Sequence, residues 1–292
     1  MAAAAPGDVI EVQRGNYRVN LLIDKPLTLR GLNRPTLNGG LTGDTIRVTS
    51  PDVVIEGLIV SNSGSSLKDQ NAGIYLFPGA HRAVVQNCDL NYNLFGLWIE
   101  KVNDVRIEGN LITGKRDFDS AQRGNDIQLY NTQREQSLHN NVSFVRVARY
   151  VDVSHHATFG GNKLHHSRYG THYMTSYYNV WEDNETYYNR GGLALMEVRE
   201  QVVRGNRAWG NSAHGIMLRS VQDSVVDKNV VAGHQRGVLG EGYLQALSMR
   251  GHRPLGFRRG APPPRDLMQC AGPQRRLPVS YTHLTLPTIY SV

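Results

Sequence analysis

The chain contains 292 residues, of which 40% are hydrophobic and 20% are charged, with a formal net charge of +7. This composition excludes a globally disordered protein, and the absence of any run of 18 apolar residues argues against a membrane-spanning helix. Two cysteines, Cys88 and Cys270, are too few for a disulfide framework or for a zinc site built from cysteine alone.

The start of the chain, MAAAAPGDVIEV, has neither the basic segment nor the apolar stretch of a secretion signal. Residues 7–40 and 51–64 then show short apolar stretches separated by glycine and asparagine, which we interpret as the opening coils of a repeat. Solenoids usually end in polar caps, and none is evident here. We therefore expect the repeat to be truncated at its N-terminus.

A repeat of about 22 residues, within the range typical of solenoids, organises the chain from about position 85 onward. Asparagines follow Asn140 at steps of 22, 22, 22 and 23, whereas Asn110 precedes it by 30, because extra residues lie in or near the polar segment 115–122. Cys88 takes the equivalent place one step before Asn110, where we expect a buried structural thiol. The complete set is Cys88, Asn110, Asn140, Asn162, Asn184, Asn206 and Asn229.

Short alternating segments such as GIYL, GLWI, GLAL and GIML follow the same interval, and each indicates a strand with one buried face. Strands this short bury their faces only when coils stack. The pattern therefore predicts an all-β fold over residues 1–239, a right-handed parallel β-helix in which the asparagines form a structural ladder. The expected inward pairs are Ile74/Leu76, Leu97/Ile99, Ile127/Leu129, Val151/Val153, Leu193/Leu195 and Ile216/Leu218.

The outward positions of these strands form two columns along the solenoid. The early coils present aromatic side chains, and the later coils present histidine and methionine, with His214 at a strand edge. The first column is predicted to be Tyr75, Trp98, Gln128, Asp152, His172, Ala194 and Met217. The second is predicted to be Phe77, Glu100, Tyr130, Ser154, Met174, Met196 and Arg219.

The later part of these columns predicts a binding surface. Thioether and imidazole groups together are a ligand set of Cu(I) and a poor one for Mg, Ca or Mn. A protein interface, in which methionine is an adaptable contact, and incidental packing are the alternatives. The histidine doublets at 155–156 and 165–166 lie nearby and are interpreted as surface or turn residues. The candidate metal ligands are His172, Met174, Met196, Met217 and His214.

The aromatic column favours a different function, because aromatic rows can stack on sugars. Glycoside hydrolysis needs two converging carboxylates, and lyase chemistry needs a base beside a cation. However, Glu100, Asp152 and Arg219 are predicted several coils apart, and Asp117 and Asp119 belong to the inserted loop, where solvation is the simpler interpretation. No nucleophile elbow or phosphate loop is present, so we predict no catalytic residues.

Residues 240–292 depart from the repeat. They contain no asparagine and seven arginines against Glu241 and Asp266, so the high isoelectric point belongs to this segment and does not indicate a nucleic-acid surface. We predict an irregular or disordered basic tail. Its last residues, SYTHLTLPTIYSV, are typical of translated adaptor sequence, which favours a frameshifted or artefactual extension over a genuine tail.

Several segments over residues 7–237 resemble the NosD family of periplasmic β-helix proteins, which are needed to mature nitrous oxide reductase. They include GDVIEVQRGNY, NLFGLWIE, GKRDFD, THYMTSYYN and NSAHGIMLRS, of which the stretch around HYM is the most specific. The coil repeat itself is shared with carbohydrate-binding and polysaccharide-degrading solenoids, so a lyase, hydrolase or epimerase and a plain binding solenoid are the alternatives.

Membership of the NosD family would imply a periplasmic location and a non-enzymatic role in handling copper. The implied partners are the apo form of nitrous oxide reductase, the subunits of an ATP-binding-cassette (ABC) transporter and a copper chaperone. The resemblance assigns the metal role to His172 and Met174 with some specificity. The usual secretion signal and the C-terminal coils of the family have no counterpart in this sequence.

Overall fold

The computed structural model describes residues 3–233, 235–241, 248–250 and 284–285. Three long parallel sheets run the length of the molecule, and each coil contributes one strand to each sheet. This arrangement is the predicted right-handed parallel β-helix, and the repeat seen in the sequence is the length of one coil. No helical segment in the described part of the chain has the length and apolarity that a membrane crossing needs.

The strands are numbered in chain order. Sheet 1 contains β1 (Val9–Val12), β4 (Thr28–Gly31), β7 (Val54–Glu56), β10 (Val84–Gln86), β13 (Arg106–Glu108), β16 (Gln136–Leu138), β19 (Thr158–Gly160), β22 (Val180–Glu182), β25 (Val202–Arg204), β28 (Val225–Asp227) and β31 (Ser248–Arg250). Sheet 2 contains β2 (Asn16–Arg18), β5 (Thr36–Asn38), β8 (Ile59–Ser61), β11 (Asp89–Asn93), β14 (Leu111–Gly114), β17 (Asn141–Ser143), β20 (Lys163–His165), β23 (Glu185–Tyr187), β26 (Arg207–Trp209) and β29 (Val230–Ala232).

Sheet 3 carries the residues of functional interest and has the longest strands. It contains β3 (Leu21–Ile23), β6 (Ile46–Val48), β9 (Ala72–Leu76), β12 (Phe95–Glu100), β15 (Ile127–Tyr130), β18 (Val147–Asp152), β21 (Tyr169–Met174), β24 (Gly191–Arg199), β27 (His214–Gln222), β30 (Arg236–Glu241) and β32 (Leu284–Thr285). Only β32 pairs in the antiparallel sense among the described strands of this sheet. Strands β30 and β31 extend sheets 3 and 1 past residue 240, and most of the predicted tail lies outside the described residues.

The predicted asparagine ladder is confirmed. The Nδ2 of Asn162 donates to Oδ1 of Asn184, 2.8 Å away, and to the backbone carbonyl oxygen of Ser137. The same pattern repeats from Asn110 to Asn206, and each Oδ1 also accepts from the backbone N–H of the preceding ladder residue. Cys88 ends the ladder as a buried thiol, whose pKa is raised by burial to about 11. The ladder therefore satisfies backbone groups that the turns would otherwise leave buried without partners.

The aliphatic core follows the predicted inward positions except on β18. Leu195 and Leu218 are fully buried, as predicted. On β18 the inward residues are Arg149 and Val151, whereas the predicted Val153 lies past the strand end and is exposed. The register predicted for this strand is therefore wrong by two residues. Arg149, Val151 and Val153 share one alternation, and the inward pair is the one that contains the arginine rather than the one made of two valines.

Arg149 occupies a core position because Glu135 lies beside it with the opposite charge and Ser137 is small enough to leave room for its guanidinium. Its guanidinium lies 3.7 Å from Glu135 and 4.8 Å from the ring centre of Phe159, and it donates to the hydroxyl of Ser137. Ser137 stands where neighbouring coils carry Ile107 and Phe159, so the small side chain leaves room for the guanidinium. The coil after the inserted loop therefore has a buried ion pair where the neighbouring coils have contacts between apolar side chains.

We expect Leu218→Asp to lower the free energy of unfolding by about 4 kcal/mol, because it buries a charge among aliphatic side chains. Arg219→Asp, one residue along on the exposed face of the same strand, should cost much less. Chemical denaturation of both variants measures the difference. Equal losses would contradict the observed register of β27.

The ion pair predicts a pH dependence of stability. Burial raises the pKa of Glu135 from 4.5 to about 7, although Arg149 opposes the shift. An acid whose pKa is raised by folding binds its proton more tightly in the folded state, so the free energy of unfolding should fall by up to about 3 kcal/mol between pH 4.5 and 7. Denaturation at several pH values should show this slope. The variant Glu135→Gln/Arg149→Met should lose it, and an unchanged slope would contradict the assignment.

Candidate metal centre

The predicted metal ligands lie on the outer face of sheet 3, on β21, β24 and β27. Met174 on β21 is directly paired with Met196 on β24. His172 is paired with Ala194, which is paired in turn with Met217 on β27. Neighbouring strands are about 4.8 Å apart. The structure therefore brings the two thioethers together on adjacent coils and puts His172 and Met217 two coils apart, as predicted.

Ala194 shows how these side chains close over the sheet. Its register places its Cβ on the outer face, yet its exposed fraction is 0%. A methyl group on an outer face is fully buried only when larger neighbours cover it, and its neighbours in register and along the strand include His172, Met217 and Met196. Met196 is itself only 9% exposed, so the prediction that it faces solvent is wrong. His172, Ala194, Met196 and Met217 therefore form a packed cluster rather than a row of side chains that extend separately into solvent.

Tyr150 belongs to this cluster and was missed by the sequence prediction. It pairs with His172 in the place predicted for Asp152, and Asp152 pairs with Met174 in the place predicted for Ser154. The Tyr150 ring stacks on the His172 imidazole at 5.1 Å, and its hydroxyl donates to the sulfur of Met174 at 3.6 Å. The repeat could have identified it, since Tyr150 lies midway between Gln128 and His172, one interval from each.

His172 is held in a form suited to metal binding. Its ring lies between the stacked Tyr150 and the edge-on Tyr169, and its buried Nδ1 has no hydrogen-bond partner among the described residues. Burial, with a smaller contribution from the positive charges of Arg146 and Arg168, lowers the pKa of His172. The imidazole is therefore neutral near pH 7, as a ligand must be. An orphaned ring nitrogen beside thioethers fits a soft cation such as Cu(I).

His214 lies beside the cluster as the first residue of β27, at the strand edge as predicted, and it is buried. Its ring packs 6.1 Å from that of Tyr169, which also contacts His172. Gly191 separates Tyr169 and His214 in the register, and a Cβ at that position would lie 2.5–2.6 Å from atoms of both rings. Glycine is therefore required for Tyr169 to link the two histidines.

The early aromatic column is not a free sugar-stacking surface. Tyr75 and Trp98 are 4% and 9% exposed and pack with Phe95 in a second apolar cluster. Phe77 and Tyr130 are exposed, but Arg47 lies over the ring of Phe77 at 5.5 Å. The prediction that the whole column points into solvent is wrong, because neighbouring segments cover it.

The inserted loop follows β14, as predicted, and one of its anchors is a buried lysine. Lys115 donates to the carbonyl oxygen of Ser63 and to the hydroxyl of Ser65, and its ammonium lies 4.9 Å from the ring centre of Tyr92. Asp117 is exposed and accepts a hydrogen bond from the hydroxyl of Tyr92. Two residues of the loop, Lys115 and Asp117, therefore contact Tyr92. Asp117 and Asp119 are both exposed, in keeping with solvated loop carboxylates.

The acidic residues of the outer face do not converge. In the second column Glu100, Tyr130 and Asp152 follow one another on three successive coils, so the two carboxylates are about 9.6 Å apart along the axis. Glu100 accepts from the hydroxyl of Tyr75 at 2.7 Å. Among the described residues, no group of three or more His, Cys, Asp or Glu side chains could hold a metal.

Solved structures with the same fold have diverse functions. The surface protein and adhesin PfbA of Streptococcus pneumoniae matches 84% of this chain and 89% of its own, with 9% identity and a TM-score of 0.62. DFA-IIIase from Arthrobacter chlorophenolicus A6 matches 84% of each chain, with 15% identity and a TM-score of 0.59. Identities this low show the fold alone, so they do not choose between an adhesin and an enzyme.

Sequence comparison is more specific. Residues 108–243 match the family model described as "Periplasmic copper-binding protein (NosD)". The "Probable ABC transporter binding protein NosD" of Stutzerimonas stutzeri is 32% identical over 226 residues, which are 77% of this chain and 52% of that protein. The chain thus spans about half the length of this relative. These matches support assignment of the chain to the NosD family.

Proposed function

We propose that this chain is a non-enzymatic periplasmic accessory protein that binds copper as cargo on sheet 3 and passes it to apo nitrous oxide reductase. The observation that carries the proposal is the closed cluster over Ala194. There a neutral imidazole, whose buried Nδ1 has no partner among the described residues, lies beside paired thioethers. Relatives described as copper-binding and as ABC transporter binding proteins support the same role.

In this proposal His172, Met174 and Met196 would hold the ion, and Met217 would reach over Ala194 as a further thioether. Thioethers are weak, soft and uncharged ligands, so they favour Cu(I) and allow it to leave for a stronger site. Tyr150 would orient the pair through its ring contact with His172 and its hydroxyl contact with Met174. His214 would act through Tyr169, as a positioning residue or as an alternative ligand.

Transfer requires partners, and the proposed ones are an ABC transporter, a copper chaperone that delivers the ion and the apo-reductase that receives it. The cluster lies on a long, continuous sheet face, which could dock a partner without rearrangement of the coils.

We expect His172→Ala/Met174→Leu to weaken Cu(I) binding at least about tenfold, because the variant removes two neighbouring ligands. Leucine keeps nearly the volume of Met174, so packing at that position is preserved. Competition with a Cu(I) chelator under anaerobic conditions measures the affinity. His155→Ala, on the same coil but away from the thioethers, is the control. Oxidation of the methionines to sulfoxides should also abolish binding.

Unchanged Cu(I) affinity in the double variant would contradict the metal assignment. If reductase maturation were lost while affinity was unchanged, the cluster would be a partner interface rather than a metal centre.

A further inference from the structure

One coil, residues 155–176, carries five of the eleven histidines of the chain. Besides His172 these are two doublets at the corners on either side of sheet 3: His155–His156 follows β18, and His165–His166 precedes β21. Within each doublet the first histidine is partly buried and the second is exposed. Each of the four rings also packs against a tyrosine at the equivalent position of the next coil. In sequence and exposure the doublets are equivalent.

Their ring nitrogens are not equivalent. The Nδ1 of His155 accepts a hydrogen bond from the backbone N–H of Tyr177 at 3.1 Å, so its lone pair is occupied. The Nδ1 of His165 instead faces the Nδ1 of His166 at 2.7 Å, with the two rings nearly perpendicular. Only the second doublet therefore brings two imidazole nitrogens together.

Asn141 sets the tautomer of His165. The Nε2 of His165 lies 2.8 Å from the side-chain oxygen of Asn141, which can only accept, so Nε2 carries the proton and Nδ1 presents its lone pair to His166. A carbonyl or carboxylate oxygen behind a histidine is the usual arrangement around protein-bound metals, since it fixes the ring and strengthens it as a ligand. Burial, followed by the charges of His166 and Lys163, lowers the pKa of His165 to about 4, so its ring is neutral at pH 7.

Aromatic packing restricts both rings further. The His165 ring stacks on Tyr187 at 4.7 Å, and the His166 ring lies between Phe144 at 5.2 Å and Tyr188 at 5.4 Å. Arg116 from the inserted loop covers the other side of Phe144 at 4.0 Å. These contacts restrict both rings, and His166 remains exposed to solvent.

We infer that His165 and His166 form a chelating site for a divalent transition metal of square-planar preference, Cu(II) above all. With metal–nitrogen bonds of about 2.0 Å, two ligands at 90° lie about 2.8 Å apart and two at the tetrahedral angle about 3.3 Å apart. The observed 2.7 Å fits the first geometry, which is typical of Cu(II) and Ni(II). In the metal-free pair the Nδ1 of His166 donates its proton to the Nδ1 of His165; metal binding would transfer that proton through solvent to the exposed Nε2 of His166. A small rotation of the His166 ring then turns both Nδ1 lone pairs toward one ion, and water would complete the square. The site is independent of the thioether cluster, because it uses other residues and a harder ion.

The test is titration of the chain with Cu(II) alone, followed by calorimetry and by electron paramagnetic resonance, which reports coordinated nitrogen directly. We expect one equivalent with nitrogen hyperfine structure. His165→Gln/His166→Gln should weaken its binding at least tenfold, and Asn141→Leu, which keeps both ligands, should weaken it about tenfold.

His155→Gln/His156→Gln is the matched control, since it removes two imidazoles of equal exposure whose nitrogens do not converge. Met174→Leu/Met196→Leu should leave Cu(II) binding unchanged, which separates this site from the proposed Cu(I) centre. Equal loss in both histidine double variants, or loss in neither, would overturn the inference and leave a hydrogen-bonded histidine pair. His166→Gln alone gives the same contrast if the double variant does not fold.

Discussion

Hydrogen bonding between stacked asparagine amides fixes how one coil lies on the next. Each ladder Nδ2 donates to the next Oδ1 and to a backbone carbonyl oxygen, so an asparagine displaced by one residue would lose both bonds inside the core, where water cannot replace them. The ladder therefore holds the strands of all three sheets in one register. The pairing of Met174 with Met196, and of His172 with Ala194, follows from that register. The arrangement of side chains on sheet 3 therefore depends on hydrogen bonds between side-chain amides in the turns between sheets 1 and 2.

A constant interval made the fold and part of the site predictable. Wherever the repeat runs without insertion, alternation and interval agree, and β21, β24 and β27 have the columns expected from the sequence. The prediction failed on β18, the first strand of sheet 3 whose coil starts after the insertion. Local alternation there accepts either Arg149 or Val153 as inward, and hydrophobicity favours valine. The choice is made by Glu135 and Ser137, which are distant from Arg149 in sequence and in contact with it in space.

Burial on the outer face could not be predicted for a related reason. The alternation of apolar and polar residues along a strand predicts which face of the sheet a side chain is on, but it does not predict which neighbours cover that side chain. Ala194 and Met196 point outward and are nonetheless buried, because long neighbours on adjacent coils close over them. Likewise, the two histidine doublets have the same sequence signature but differ in the groups that contact their ring nitrogens. The signal that distinguishes them is Asn141, whose role depends on packing between coils rather than on spacing within one.

The concentration of imidazoles on a single coil has a geometric consequence. Because one coil is about 4.8 Å thick, the five histidines of residues 155–176 lie within one thin slab across the solenoid, whereas the methionines run along its axis. A protein that wrapped around the solenoid at this level would meet the face and both corners together, and one that lay lengthwise would meet the thioethers in series. Imidazole groups are thus arranged around the axis of the solenoid, and thioether groups are arranged along it.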